Sequence, residues 1–137
     1  MSKLTPKEVR KLWVEALESG KYKQGKMCLK RTDEEGDRYC CLGVLCDLAA
    51  KHGICGEFRD DYAGNWVFDY KKYAPPTSVL NWAGLESDIG IFGSYGPQQS
   101  SLAGINDNSS DFSAVIEIIK SEPEGLFLPD PVEVAGG

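Results

Sequence analysis

The stretch that most constrains this chain is Arg38-Tyr39-Cys40-Cys41-Leu42-Gly43-Val44-Leu45-Cys46-Asp47-Leu48-Ala49-Ala50. It is the longest nearly uncharged run and holds three of the five cysteines. Arg38 to Cys41 reads as a strand. Leu42, Leu45, Leu48 and Ala49 then recur at helical spacing, with Val44 and Cys41 widening the apolar face. The run predicts a strand that enters a helix over about 41–51 with almost no connection, stopped by Gly53. A helix apolar over so much of its surface has to be covered by the rest of the chain. Gly43 leaves room for the hairpin or the first helix to approach it closely.

The elements around this pillar are short. Thr5-Pro6-Lys7-Glu8 is a capping box with proline at the first helical position. Val9, Leu12, Trp13, Ala16 and Leu17 follow as one apolar stripe, and Gly20 ends the helix in the left-handed conformation. Residues 27–31 read as a strand, 32–37 as a six-residue turn and 38–41 as the returning strand of a hairpin. Residues 66–70 and 89–92 are further short strands. Residues 75–84 form a short helix entered by proline and ended by glycine, and 94–101 a loop. A final helix is capped by Asn108, Ser109 or Ser110 and buries Phe112, Val115, Ile116 and Ile119. The fold class is α+β, a single small domain over 1–120. Residues 121–137, rich in proline, glycine and acid, read as a tail in which Leu126, Phe127 and Leu128 are able to dock on the body or a partner.

Charge is unevenly spread. Residues 1–31 hold nine Lys/Arg against three Glu, a net of +6, while the remainder nets −12, giving −6 for the chain. An acidic body argues against general affinity for nucleic acid and allows a local anion site near the front. No run approaches the roughly 18 apolar residues of a membrane span. Residues 1–6 lack the apolar core of a signal peptide, so the expected compartment is the cytoplasm. Five cysteines is an odd number, and in a reducing compartment they read as free, mostly buried thiols.

Spacing limits the chemistry these residues can carry. A thiol at a helix N-terminus is favoured as thiolate, which makes Cys41, with Cys28 on the partner strand, the candidate nucleophiles of a cysteine hydrolase. His52 is the one histidine, and a helix over 41–51 places it roughly 16 Å along the axis from Cys41. It suits a helix C-cap better than a catalytic base. A zinc site would need Cys28, Cys40, Cys55 and His52 to converge, and Cys41 and Cys46 diverge by roughly 140° on a helix. Asn106-Asp107-Asn108-Ser109 offers oxygens to a cation but lacks the length and glycine of a calcium loop. No phosphate-cradling glycine motif is present. No metal and no cofactor is expected. A binding surface remains: Tyr22, Lys23, Gln24 and Lys26, with Lys30 and Arg31 beyond, join an aromatic ring, an amide and cations, a set that suits a nucleotide-like anion.

Trp13-x-x-Ala16-Leu17-x-Ser19-Gly20-x-Tyr22-x-Gln24-Gly25, then residues 39–47, resemble a family of small proteins encoded by tailed bacteriophages and some bacteria. Val79-x-x-Trp82-x-Gly84-Leu85, Ile105-Asn106-Asp107 and Phe112 are similar to the same family, and the likeness covers roughly residues 8–120. The resemblance implies a phage accessory context and carries no activity with it. The sequence therefore predicts a non-enzymatic accessory protein of the host cytoplasm that binds a small anionic, nucleotide-like ligand, such as a host defence signal. The alternative is an inhibitor that contacts a host protein through its acidic body and tail, and a cysteine hydrolase comes third. An oligomer is compatible with either binding reading.

Overall fold

The computed structural model describes residues 4–54, 56–60, 65–68, 71–93 and 100–128. Cys55, residues 61–64, the end of the expected strand at 69–70, residues 94–99 of the expected loop and the chain beyond 128 lie outside the described residues. The architecture is α+β. Helix α1 (Pro6–Glu18) is followed by strands β1 (Lys23–Gln24), β2 (Lys30–Asp33) and β3 (Gly36–Tyr39), then helix α2 (Cys41–Lys51). Strands β4 (Phe58–Asp60) and β5 (Asn65–Phe68) precede α3 (Thr77–Ala83). After β6 (Ile91–Phe92) and β7 (Ser100–Ser101) come α4 (Leu102–Asp107) and α5 (Ser113–Ser121).

Helix α1 starts as its sequence dictates. Thr5 Oγ1 accepts from the Glu8 amide and Glu8 Oε1 from the Thr5 amide, so two donors that the first turn leaves open are satisfied. Val9, Trp13, Val14 and Leu17 are buried, while Leu12 and Ala16 of the expected stripe are half-buried. Each such burial contributes about 1.5–3 kcal/mol for a side chain of this size. Trp13 Nε1 donates to the Cys41 carbonyl at 2.9 Å and so ties α1 to the start of α2.

Five strands form one sheet in the order β1-β3-β2-β5-β4, and β6 pairs with β7. Strand β1 runs parallel to β3; the other neighbours are antiparallel. The hairpin is tighter than the expected six-residue turn. Asp33 pairs with Gly36, which leaves only Glu34 and Glu35 between the strands. Charged residues extend the ladder because they face solvent and bond across it: Arg38 meets Asp33 at 2.5 Å and Glu35 at 2.6 Å, and Thr32 Oγ1 bonds Asp37 at 2.7 Å. Strand β2 also starts later than expected. Met27 takes φ +71°, outside strand geometry.

Helix α2 is the buried centre, contacted by α1, α3, α4 and β3. Cys41, Leu42, Val44, Leu45, Cys46 and Ala49 have no exposed surface. Gly43 is where the hairpin comes close, since a Cβ there would sit 1.8 Å from the Leu29 carbonyl oxygen. Residues 102–107 form a helix of their own rather than a lead-in to the last one, which starts at Ser113. The chain after α5 docks on the body. Leu126 is fully buried, Phe127 bridges Leu85, and the Leu128 amide donates to the Gly84 carbonyl at 2.7 Å. The body thus reaches Leu128, which is 45 % exposed. Among the described residues no helix is long and apolar enough to cross a membrane.

Candidate ligand-binding clefts beside Tyr22

Between α1 and α2 the chain passes Gly20, at φ +77°, and reaches Tyr22 on the surface of the body. The Tyr22 hydroxyl donates to Asp47 Oδ2 at 2.5 Å. Lys51, one helical turn beyond Asp47, places Nζ 3.1 Å from that carboxylate and 3.3 Å from the hydroxyl. The Tyr22 ring meets Tyr39 edge-on at 5.0 Å. Burial, then the bond to Asp47, raises the Tyr22 phenol above its ordinary value. The bonds to Asp47 and Tyr22 raise Lys51. Tyr22 therefore stays protonated near neutrality and acts as a donor, not as a base.

The neighbouring strand is held from both sides. Lys23 Nζ donates to the Glu35 carbonyl at 2.7 Å. Gln24 Nε2 donates to the Asn106 and Asp111 carbonyls at 3.0 and 3.1 Å, and Arg38 reaches the Gln24 carbonyl at 3.3 Å. Asn106 is the hidden hub of this region. Fully buried at the end of α4, it accepts from the Cys41 amide at 3.2 Å and donates to the Gly25 carbonyl at 2.9 Å. Asp107 beside it accepts from the Met27 amide at 2.9 Å.

Two clefts open beside β1. One, of about 660 Å³, lies between the end of α1, β1 and the start of α5, with Leu17, Phe112 and Ile116 as its apolar part and Lys23 and Arg38 as its cations. The other, of about 520 Å³, holds Lys21, Lys23 and Lys51 against Glu35, Asp37 and Asp47. Tyr22 and Lys23 line both. The first cleft nets −1, with Glu18, Asp111 and Glu117 opposing its two cations, and the second nets zero.

The structure thus brings Tyr22, Lys23 and Gln24 together and separates the other three residues of the expected site. Lys26 and Arg31 are exposed and line neither cleft. Lys30 is buried, with Nζ 3.9 Å from the Trp66 ring centre, 5.1 Å from Phe58 and 5.3 Å from Tyr39, and 3.7 Å from Asp37. Such contacts hold a cation in place for about 0.5–2 kcal/mol each. Asp47, Lys51, Arg38 and Asn106 lie outside the expected ligand-binding set; Asn106 is marked in the sequence for chemistry only as an oxygen donor within 106–109. The Asp47/Lys51 pair, four apart on an otherwise apolar helix, is a second signal for part of this set.

The thiols sit elsewhere. Cys40 caps α2, its Sγ accepting from the Gly43 amide at 3.3 Å, and burial pushes it up to about 12. Cys41, also raised by burial, donates to the Leu102 carbonyl at 3.8 Å, and Cys28 to that of Lys30 at 3.7 Å. His52 lies at the far end of α2, exposed, with its ring 5.6 Å from Trp82. Neither candidate nucleophile has a base among these contacts. Among the described residues no three His, Cys, Asp or Glu side chains gather as metal ligands.

Residues 5–123 match the family described as a domain of unknown function, DUF8296. The chain belongs to that family. No curated protein and no solved structure matches it.

Proposed function

We propose that this protein is a non-enzymatic binding protein whose ligand is small, ring-bearing and anionic, of mononucleotide type, held in the clefts beside Tyr22. The observation that carries the reading is that one aromatic residue and one lysine, Tyr22 and Lys23, line both clefts. A ring stacks on the tyrosine while a phosphate meets Lys21, Lys23 or Lys51. The near-balanced charge of both clefts favours a ligand with few negative charges and several hydrogen-bond donors, which the facing carboxylates accept. The likeness to small phage proteins supports a role as a phage accessory factor in the host cytoplasm, with a nucleotide-derived defence signal as the ligand. The burial and raised protonation of Cys40 and Cys41 favour binding over thiol catalysis.

Thermal unfolding of the purified chain against mono-, di- and cyclic nucleotides tests this. A ligand at 100 times its dissociation constant stabilises by about 2.7 kcal/mol, which raises the midpoint by several degrees. The rise should vanish in Lys21→Glu with Lys23→Glu and persist in Lys26→Glu, whose side chain is outside the clefts. Silence across the whole panel would sink the reading.

A further inference from the structure

Helices α1 and α5 lie antiparallel. Leu17 and Glu18 at the end of α1 share the larger cleft with Phe112 and Ser113 at the start of α5. Lys7 and Arg10 at the start of α1 share a different groove with Ile119 and Glu122 at the end of α5. This second groove has a volume of about 450 Å³. Its floor is Val14 and Ile119, both part of the hydrophobic core. Its walls carry Lys7, Arg10, Lys11 and Lys120 against Glu8 and Glu122, a net of +2 on a chain of net −6. Of the three concave sites described, this is the positive one, and it is not on the basic loop.

Most of that wall charge is already engaged. Glu8 closes the capping box. Arg10 Nη2 is 3.1 Å from Glu122, and Lys120 Nζ is 2.9 Å from Glu18. Lys7 and Lys11 are different: both are exposed, and neither side chain has an ion pair or hydrogen bond among the described residues. They stand four residues apart on one face of the helix, with Cβ atoms about 6 Å apart, close enough to share one anionic head. From Lys7 to Val14 the groove runs about 10 Å along the axis.

We propose that the α1–α5 groove binds a small amphipathic carboxylate, with its head between Lys7 and Lys11 and its apolar body over Val14 and Ile119. Charge complementarity selects the anion, and the apolar floor selects the body. A nucleotide fits poorly, because Val14 and Ile119 offer no partner to its base or sugar. A membrane surface fits poorly as well. Val14 is 8 % and Ile119 2 % exposed, at the bottom of a concavity, so neither side chain is able to insert into a bilayer. The proposal is independent of the clefts beside Tyr22.

Octanoate is the probe, with octanol as its uncharged and octyltrimethylammonium as its cationic counterpart. Amide NMR on the full chain should show octanoate shifting the Val14 and Ile119 resonances, with octanol at least about tenfold weaker and the cation silent. Raising the salt should weaken octanoate and leave octanol unchanged. Lys7→Glu with Lys11→Glu should weaken octanoate at least about tenfold, while Lys21→Glu with Lys23→Glu leaves it unaltered. Should the charge reversal disturb the spectrum of the free protein, Lys7→Gln with Lys11→Gln replaces it. No binding of octanoate, equal binding of octanol, undiminished binding by the lysine variant, or shifts centred on Tyr22 to Gln24 would each overturn the assignment.

Discussion

The cysteine-rich entrance to α2 and the two-residue edge strand β1 meet on one side chain, Asn106, which accepts from the Cys41 amide and neighbours the Gln24 amide group. On one side of that contact lie the residue types with the most reactive chemistry, and they are sealed. Cys40 and Cys41 are buried and hydrogen-bonded, and burial has moved both away from the thiolate. On the other side lie a tyrosine and a lysine that line both clefts and a glutamine that lines the larger one. Reactivity by residue type and availability to a ligand have been separated. The difference teaches that a cysteine cluster at a helix N-terminus is a functional signal only while the helix end is open, and here Leu29, Leu102 and Asn106 close it.

The sharpest way to break this division is Gly43→Ala. The added carbon would overlap the Leu29 carbonyl at 1.8 Å, and a backbone atom has no alternative rotamer to adopt. The hairpin must move off α2, at a cost of about 4 kcal/mol, beyond most single substitutions. Urea denaturation measures it. A loss under about 1 kcal/mol would mean that the junction is looser than its contacts indicate, and the case for a sealed cysteine cluster would fall with it.

Asn106→Ala follows in size. It removes the acceptor for the Cys41 amide and the donor to the Gly25 carbonyl, leaving two buried backbone groups unpaired at about 1–3 kcal/mol each. The expected loss is about 3 kcal/mol, or roughly 10 °C in midpoint for a domain of this length. Because Asn106 holds both regions, the variant should also quicken hydrogen exchange at Gly25 and Cys41 together. Faster exchange at one of them alone would show that the two regions are not mechanically joined there.

How much of this was legible depends on how local each cause is. The capping box of α1 and the left-handed glycines 20, 53 and 84 announce themselves within a few residues. The hairpin does not, because β2 is exposed at three of its four positions and so has no alternating apolar face. Its register comes from ion pairs across the strands. Strands β1 and β4 are too short to carry a period and exist through their partners. The same holds for the site. Tyr22, Lys23 and Gln24 are adjacent in sequence, but Asp47 arrives from 25 residues away. Lys30 looks like the rest of the basic front end, yet rings from β3, β4 and β5 enclose it. Only the fold separates a cation offered to a ligand from one already held.

The mildest change, Cys40→Ser, isolates what burial does to a single thiol. Serine is a favoured N-cap, so the bond from the Gly43 amide has a replacement acceptor and stability near pH 7 should change by less than about 1 kcal/mol. The contrast appears in alkali. The folded state holds the Cys40 proton up to about 12, while an unfolded thiol releases it near 9.0. The unfolded chain therefore binds fewer protons across that window, and stability present below pH 9 is lost as pH rises towards 12. Cys41, Tyr22 and Tyr39 are raised as well and push in the same direction, but they are common to both proteins. Urea midpoints taken from pH 7 to pH 11 should thus fall for both, and less steeply for the serine variant. Parallel slopes would mean that Cys40 titrates alike in both states, as an open thiol would, and would return the α2 entrance to the list of places where chemistry is available.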